Sequence, residues 1–132
     1  MTKFLLDTNI CIYLLKGKFN LISKIEQVRE TNCFISEITV AELKYGAEKS
    51  EQIVENKKKV ELLINKFTVI PIYTSLDIYA KEKTKLSKAG SIIDDFDLLI
   101  GATALANNLA LVTNNIKHFN RLKNLKVEDW TK

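Results

Sequence analysis

Three stretches of the 132-residue chain set acids beside small polar residues: FLLDTN, SEITVAELKYG and IIDDFDLLIGATALA. Among their acids are Asp7, then Glu42, then Asp94, Asp95 and Asp97, and no histidine or cysteine lies in the three stretches. Such hard oxygen donors select Mg²⁺ or Mn²⁺ over zinc. Carboxylates gathered ~5 Å apart at an effective dielectric of ~20 repel by ~3 kcal/mol per pair, so a cluster of them needs a compensating cation. A divalent ion held by acids can orient and deprotonate water and stabilise the leaving oxyanion of a phosphodiester, with no covalent nucleophile. Each acid also has a plainer reading. Asp7, with Thr8 and Asn9 behind it, makes a good helix cap. Glu42, amid Ile38, Val40, Ala41 and Leu43, lies on a narrow solvent stripe or points into a pocket, because an unpaired buried carboxylate is costly. Asp94 and Asp97 are one turn apart and share a face, whereas Asp95 points elsewhere and is the best candidate for a simple cap.

Convergence of these acids depends on the elements that carry them. Four short apolar runs read as strands, Lys3–Leu6, Cys33–Ser36, Thr68–Pro71 and Ala110–Thr113, with Leu125–Val127 as an edge strand. Between them apolar residues recur at three and four: Leu21, Ile22, Ile25, Val28; then Val60, Leu63, Ile64, Phe67; then Leu98, Ala102, Leu105, Leu109. A shorter helix from Glu37 to Tyr45 is expected to end at Gly46, and Lys88–Ser91 to break the chain before the next helix. Strands separated by helices imply a mostly parallel sheet, in which ligands gather outside the carboxyl ends of the strands. Were strands one, two and four neighbours, Asp7 and the starts of the Glu42 and Asp97 helices would share that rim.

Composition sets the frame. With 46% hydrophobic and 27% charged residues, the chain is too apolar for disorder, and its length suits one domain, residues 1–132. The net charge of +4 favours a polyanionic partner such as nucleic acid. Cys11 and Cys33 lie in apolar runs without metal-ligand spacing and read as free thiols of a reducing cytoplasm. The N-terminal apolar run stops at Asp7, too short for a signal peptide, and the uncharged stretch Leu98–Ile116 is interrupted by asparagines and reads as a buried helix and strand rather than a membrane span.

LLDTNICIYLL, SEITVAELKYGAEKS, DLLIGATALANNLALVTNN and the closing LKVEDW, in this order, resemble the PIN-domain ribonucleases, in particular the VapC toxins of VapBC toxin–antitoxin systems. The resemblance covers nearly the whole chain and implies a three-layer α/β/α sandwich. It implies that Asp7, Glu42 and Asp97 hold Mg²⁺ or Mn²⁺ and activate water against RNA. It further implies a tRNA substrate, initiator tRNA by the look of the SxIT-x-AEL element, a VapB-like antitoxin that occludes the acidic site, a toxin homodimer and a toxin–antitoxin hetero-oligomer. Members usually carry a fourth acid two residues after the threonine that ends strand four. Here the threonine is Thr113 and that position is Asn115, with Asp94 as the substitute on the Asp97 face.

Thr8, Asn9, Ser36 and Thr39 lie beside the acids and read equally as hydrogen-bond supports or helix caps. His118 stands where some relatives carry an acid, and is read as a surface or capping residue rather than a catalytic one. Trp130, Phe119 and Tyr73 read as core or docking aromatics, and the run Lys57–Lys59, with Lys49 and Lys66, as a solvated face. Two other functions fit parts of the pattern. A phosphatase using Asp7 as nucleophile would want an acid where Asn9 stands, and a noncatalytic RNA-binding or scaffold module would explain Asn115.

Overall fold

The structure, a computed structural model, describes residues 1–132. Five strands, β1 (Phe4–Leu6), β2 (Cys33–Ser36), β3 (Thr68–Ile70), β4 (Ala110–Val112) and β5 (Val127–Glu128), form one sheet in the order β3-β2-β1-β4-β5. Every pairing is parallel, so the expectation of a mostly parallel sheet is met in full. The edge strand begins at Val127, two residues later than the apolar run suggested, because Val127 and Glu128 are the residues in register with Leu111 and Val112.

Seven α-helices connect the strands: α1 (Thr8–Leu15), α2 (Leu21–Val28), α3 (Glu37–Glu48), α4 (Ile53–Lys66), α5 (Leu76–Lys88), α6 (Asp95–Ala106) and α7 (Ile116–Phe119). Strand side chains alternate between faces. Phe4, Leu6, Cys33, Ile35, Ala110 and Val112 point to one side, where Ile10, Leu21, Ile25, Leu43, Val60 and Leu63 of α1 to α4 cover them. Leu5 and Leu111 point to the other, against Leu86, Leu98, Ile100, Ala104, Phe119 and Leu122. The result is a three-layer α/β/α sandwich with a separate core on each side of the sheet. Trp130 closes the first core, its ring edge-on to Phe4 at 5.1 Å, and Phe119 is fully buried in the second. Tyr73, by contrast, is exposed.

Two local expectations are corrected. Helix α3 does not stop at Gly46 but runs on to Glu48, because Leu43 and Ala47 both bury against the first core and hold the extra turn in register. At the start of α6 the cap is Asp94, which accepts from the Phe96 N–H at 3.1 Å. Asp95 instead accepts from Lys83 Nζ and the Tyr79 hydroxyl, each at 2.8 Å, so α5 draws it away from the cap.

The floor of α6 is a tight contact. A Cβ placed on Gly101 would collide with the Leu122 side chain and come within 3.5 Å of the Phe119 ring, both buried. Gly101→Val will therefore destabilise the protein by about 2–3 kcal/mol through overpacking, read as a lower denaturant midpoint at unchanged slope.

Candidate active site

The strand order reverses at β1: β2 follows it on one side and β4 lies on the other. In a parallel sheet this is the crevice into which the strand ends open. Asp7 leaves β1 at that point, Ser36 and Glu37 leave β2, and Thr113 leaves β4. Register makes two of them neighbours. Leu6 pairs with Val112, and the Asp7 N–H donates to the Val112 carbonyl at 2.9 Å, so the Thr113 hydroxyl reaches Asp7 Oδ2 at 2.7 Å across 106 residues of sequence.

Asp7 is only 3% exposed. It caps α1 by accepting from the Thr8 N–H at 2.8 Å, so the cap reading and the site reading describe the same carboxylate. Its charge is otherwise poorly compensated. Burial pushes its pKa from 3.8 up to about 6 against the pull of the Thr113 and Thr8 bonds, and the charges of Asp97 and Glu42 push the same way. Asp97 is raised too, first by burial and then by Asp94, with His118 opposing.

A cavity of about 760 Å³ gathers the acids: Asp7, Glu42, Asp94 and Asp97 all line it. Glu42 is the sixth residue of α3, and its Oε1 accepts from the Thr8 hydroxyl at 2.7 Å, with Thr39 Oγ1 2.9 Å from the same hydroxyl. Glu42 thus points into a pocket, not along a solvent stripe. Asn9 is exposed on the cavity wall, and Ser36, fully buried, caps α3 through the Ile38 N–H at 3.0 Å.

Asn115 precedes α7; its N–H donates to Thr113 Oγ1 at 3.0 Å and its amide nitrogen lies 2.8 Å from His118 Nδ1. His118 Nδ1 is in turn 3.7 Å from Asp97 Oδ2. The histidine set aside on sequence grounds therefore stands against one of the acids, and Asn115 joins it through Thr113 to another. Two further cavity residues are absent from the sequence reading of the site, Tyr45 and Phe96, and Lys49, expected on a solvated face, lines the cavity as well. Their signal was present, since Tyr45, Gly46 and Lys49 follow Glu42 at three, four and seven residues, the spacing of one helix face.

The donor set is all oxygen, which suits a hard divalent ion. No three acidic, histidine or cysteine side chains stand close enough together to form a ready-made ion cage. That arrangement is compatible with Mg²⁺, which keeps several waters and takes one or two carboxylates from the protein.

The raised pKa has a testable sign. Between pH 3.8 and about 6 the folded chain holds the Asp7 proton that the unfolded chain releases. The stabilisation is complete below the lower value and lost as pH rises through the upper one. Metal-free wild type will accordingly gain about 1–2 kcal/mol relative to Asp7→Asn as pH is lowered from about 8 to about 5, measured by denaturant melts of both proteins.

The PIN domain model matches residues 4–125. Ribonuclease VapC2 of Rickettsia felis is 39% identical over 132 residues, covering 98% of each chain. The tRNA(fMet)-specific endonuclease VapC of Salmonella typhimurium is 35% identical, covering 98% of this chain and 99% of its own. Among solved structures, DNA-bound VapBC from Salmonella typhimurium superposes with a TM-score of 0.92 at 34% identity, again over 98% of this chain and 99% of that one. A buried strand-end aspartate, a pocket of acids at the reversal of a parallel sheet and full-length likeness to these enzymes agree: the chain belongs to the PIN-domain family, in its VapC ribonuclease branch.

Proposed function

We propose that this ribonuclease is the toxin of a type II toxin–antitoxin pair, a single nuclease domain of the cytoplasm that cleaves tRNA, initiator tRNA in particular, with Asp7, Glu42 and Asp97 as its catalytic acids. The observation that carries the reading is Asp7: 3% exposed, pushed up to about 6, and sharing one cavity with Glu42, Asp94 and Asp97. A buried carboxylate near acids and without a basic partner is costly unless a cation or substrate is part of its working state.

Asp7 and Asp97, with Glu42, would hold Mg²⁺ or Mn²⁺. A divalent ion there would supply positive charge against the scissile phosphate and acidify the attacking water. The chain's own contribution is orientation. Thr113 and the Thr8 N–H fix both oxygens of Asp7, and the Thr8 hydroxyl, with Thr39 beside it, fixes Glu42. His118, held by Asn115, stands beside Asp97 where relatives would add a fourth acid.

The relatives support the partners. VapBC complexes from Salmonella typhimurium and Rickettsia felis are structural neighbours at TM-scores of 0.92 and 0.91, and the Salmonella typhimurium enzyme bears the tRNA(fMet) name. This chain accordingly pairs with a VapB-like antitoxin that occludes the acidic cavity, as a toxin homodimer within a hetero-oligomer. No helix is long and apolar enough to cross a membrane.

The test is incubation of wild-type and Asp7→Asn protein with total bacterial RNA in Mg²⁺, Mn²⁺ or EDTA, followed by mapping of new 5′ ends. Discrete metal-dependent cuts in one tRNA class, made by wild type alone, are expected. Their absence from folded, antitoxin-free protein would overturn the reading in favour of a noncatalytic RNA-binding module.

A further inference from the structure

Helix α3 carries a glycine that nothing inside the molecule accounts for. Gly46 lies in the helix interior without a positive φ, and outside its own helix a Cβ there would meet nothing within 4 Å. It is neither a cap nor a site of close internal packing. Glycine in a helix interior costs about 1 kcal/mol against alanine. What its missing side chain leaves is a notch of bare helix backbone, and that notch opens on the acid cavity.

The flanks of the notch are chemically specific. Tyr45, one residue before, is 66% exposed although large and aromatic. Lys49, three residues after, holds its ammonium 5.0 Å from the Tyr45 ring centre and takes part in no ion pair. Both line the same cavity as Asp7 and Glu42, as does Phe96, another exposed ring, from the first turn of α6. A second cavity of about 420 Å³ between α1, α3 and α4 shares Ile12, Glu42, Gly46 and Lys49 with the first and adds Lys16 and Lys59. The acidic pocket therefore has a rim that is cationic and aromatic, with a backbone gap in its middle. An aromatic face stacks any base, a lysine neutralises a phosphate, and a missing Cβ admits a sugar–phosphate chain close to the helix.

We propose that Tyr45, Gly46 and Lys49 form an RNA subsite for the nucleotide next to the scissile phosphate: its base rests on Tyr45, its backbone crosses α3 at Gly46, and its phosphate meets Lys49. The inference rests on the ribonuclease reading above and adds to it the residues that seat the substrate. An antitoxin segment is the competing occupant. RNA is favoured because the notch is continuous with the acids that would cut it and because Lys49 stands at it without an ion-pair partner.

Gly46→Ala is the telling variant, since it strengthens the helix while filling the notch. In an Asp7→Asn background in EDTA, where no cleavage intervenes, fluorescein-labelled bulk tRNA will bind Gly46→Ala about ten-fold more weakly, while the melting temperature stays level or rises. Tyr45→Ala will lose about ten-fold and Tyr45→Phe will restore most of it, as stacking requires. Lys49→Gln will flatten the slope of log K against log salt by about 0.7. In the cleavage-competent protein the Gly46→Ala defect will fall on KM more than on kcat. Unchanged tRNA affinity in Gly46→Ala and Lys49→Gln, with tRNA still bound by the parent, overturns the subsite alone. So does a Gly46→Ala defect confined to antitoxin binding. Failure of the Asp7→Asn parent to bind tRNA at all overturns the substrate reading and the subsite with it.

Discussion

Asp7→Asn will abolish metal-dependent RNA cleavage, by on the order of 10³-fold or more, and will at the same time leave a protein more heat-stable than wild type without metal. Asp7 is 3% exposed, and the reason that function and stability move in opposite directions is electrostatic. The wild-type carboxylate is ionised at neutral pH although burial, Asp97 and Glu42 all disfavour its charge, which is why its pKa rises from 3.8 to about 6. The shift corresponds to about 3 kcal/mol of destabilisation above both values. Asparagine keeps the volume and removes the charge. Its amide can still accept from the Thr8 N–H, and the Thr113 hydroxyl can turn to accept from the amide instead. The loss of one charge-assisted bond offsets part of the gain, so the expected rise in melting temperature is several degrees, up to about 10 °C. Calorimetry of the metal-free proteins beside a tRNA cleavage assay checks both halves. A variant that is inactive but less stable than wild type would mean that Asp7 serves the fold, and the assignment of its charge to catalysis would fall.

Metal will act in the opposite sense on the same acids. Mg²⁺ or Mn²⁺ at about 100 times its dissociation constant should stabilise wild type by about 2.7 kcal/mol, a rise in melting temperature of about 10 °C. Asp97→Asn should lose at least half of that response, and in EDTA it should be no less stable than wild type, because Asp97 is itself raised by burial and by Asp94. Ca²⁺ and monovalent salt at equal ionic strength separate specific binding from screening. An Asp97→Asn protein with a full metal response would remove Asp97 from the ligand set, whatever its effect on cleavage.

The layout of this molecule was legible in its sequence wherever burial writes a local pattern. Strands buried on both faces show as short continuous apolar runs, and the helices between them as stripes at three and four, which is why β2 and α2 fall at the expected residues. Asp7 could be placed at a strand end, and the strand-end rule then pointed to the rim where Glu42 and Asp97 also lie. Glycine and the paired aspartates were ambiguous because each residue type serves two purposes. Gly46 is as good a helix end as a helix gap, and only the burial of Ala47 one residue later decided that α3 continues. Asp94 and Asp95 cap equally well in isolation, and the choice was made by Lys83 and Tyr79 arriving from α5.

What the sequence determined by itself, then, was the type and order of the elements and the acids at their ends, because apolar period and capping chemistry act over a few residues. The tertiary structure alone decided that β1 lies between β2 and β4, and with it that Thr113 grips Asp7, that Thr8 grips Glu42 and that His118 leans on Asp97. Those contacts join residues up to 106 positions apart. No local propensity encodes them; they exist only because strand order and register are set by how two whole cores pack on one sheet.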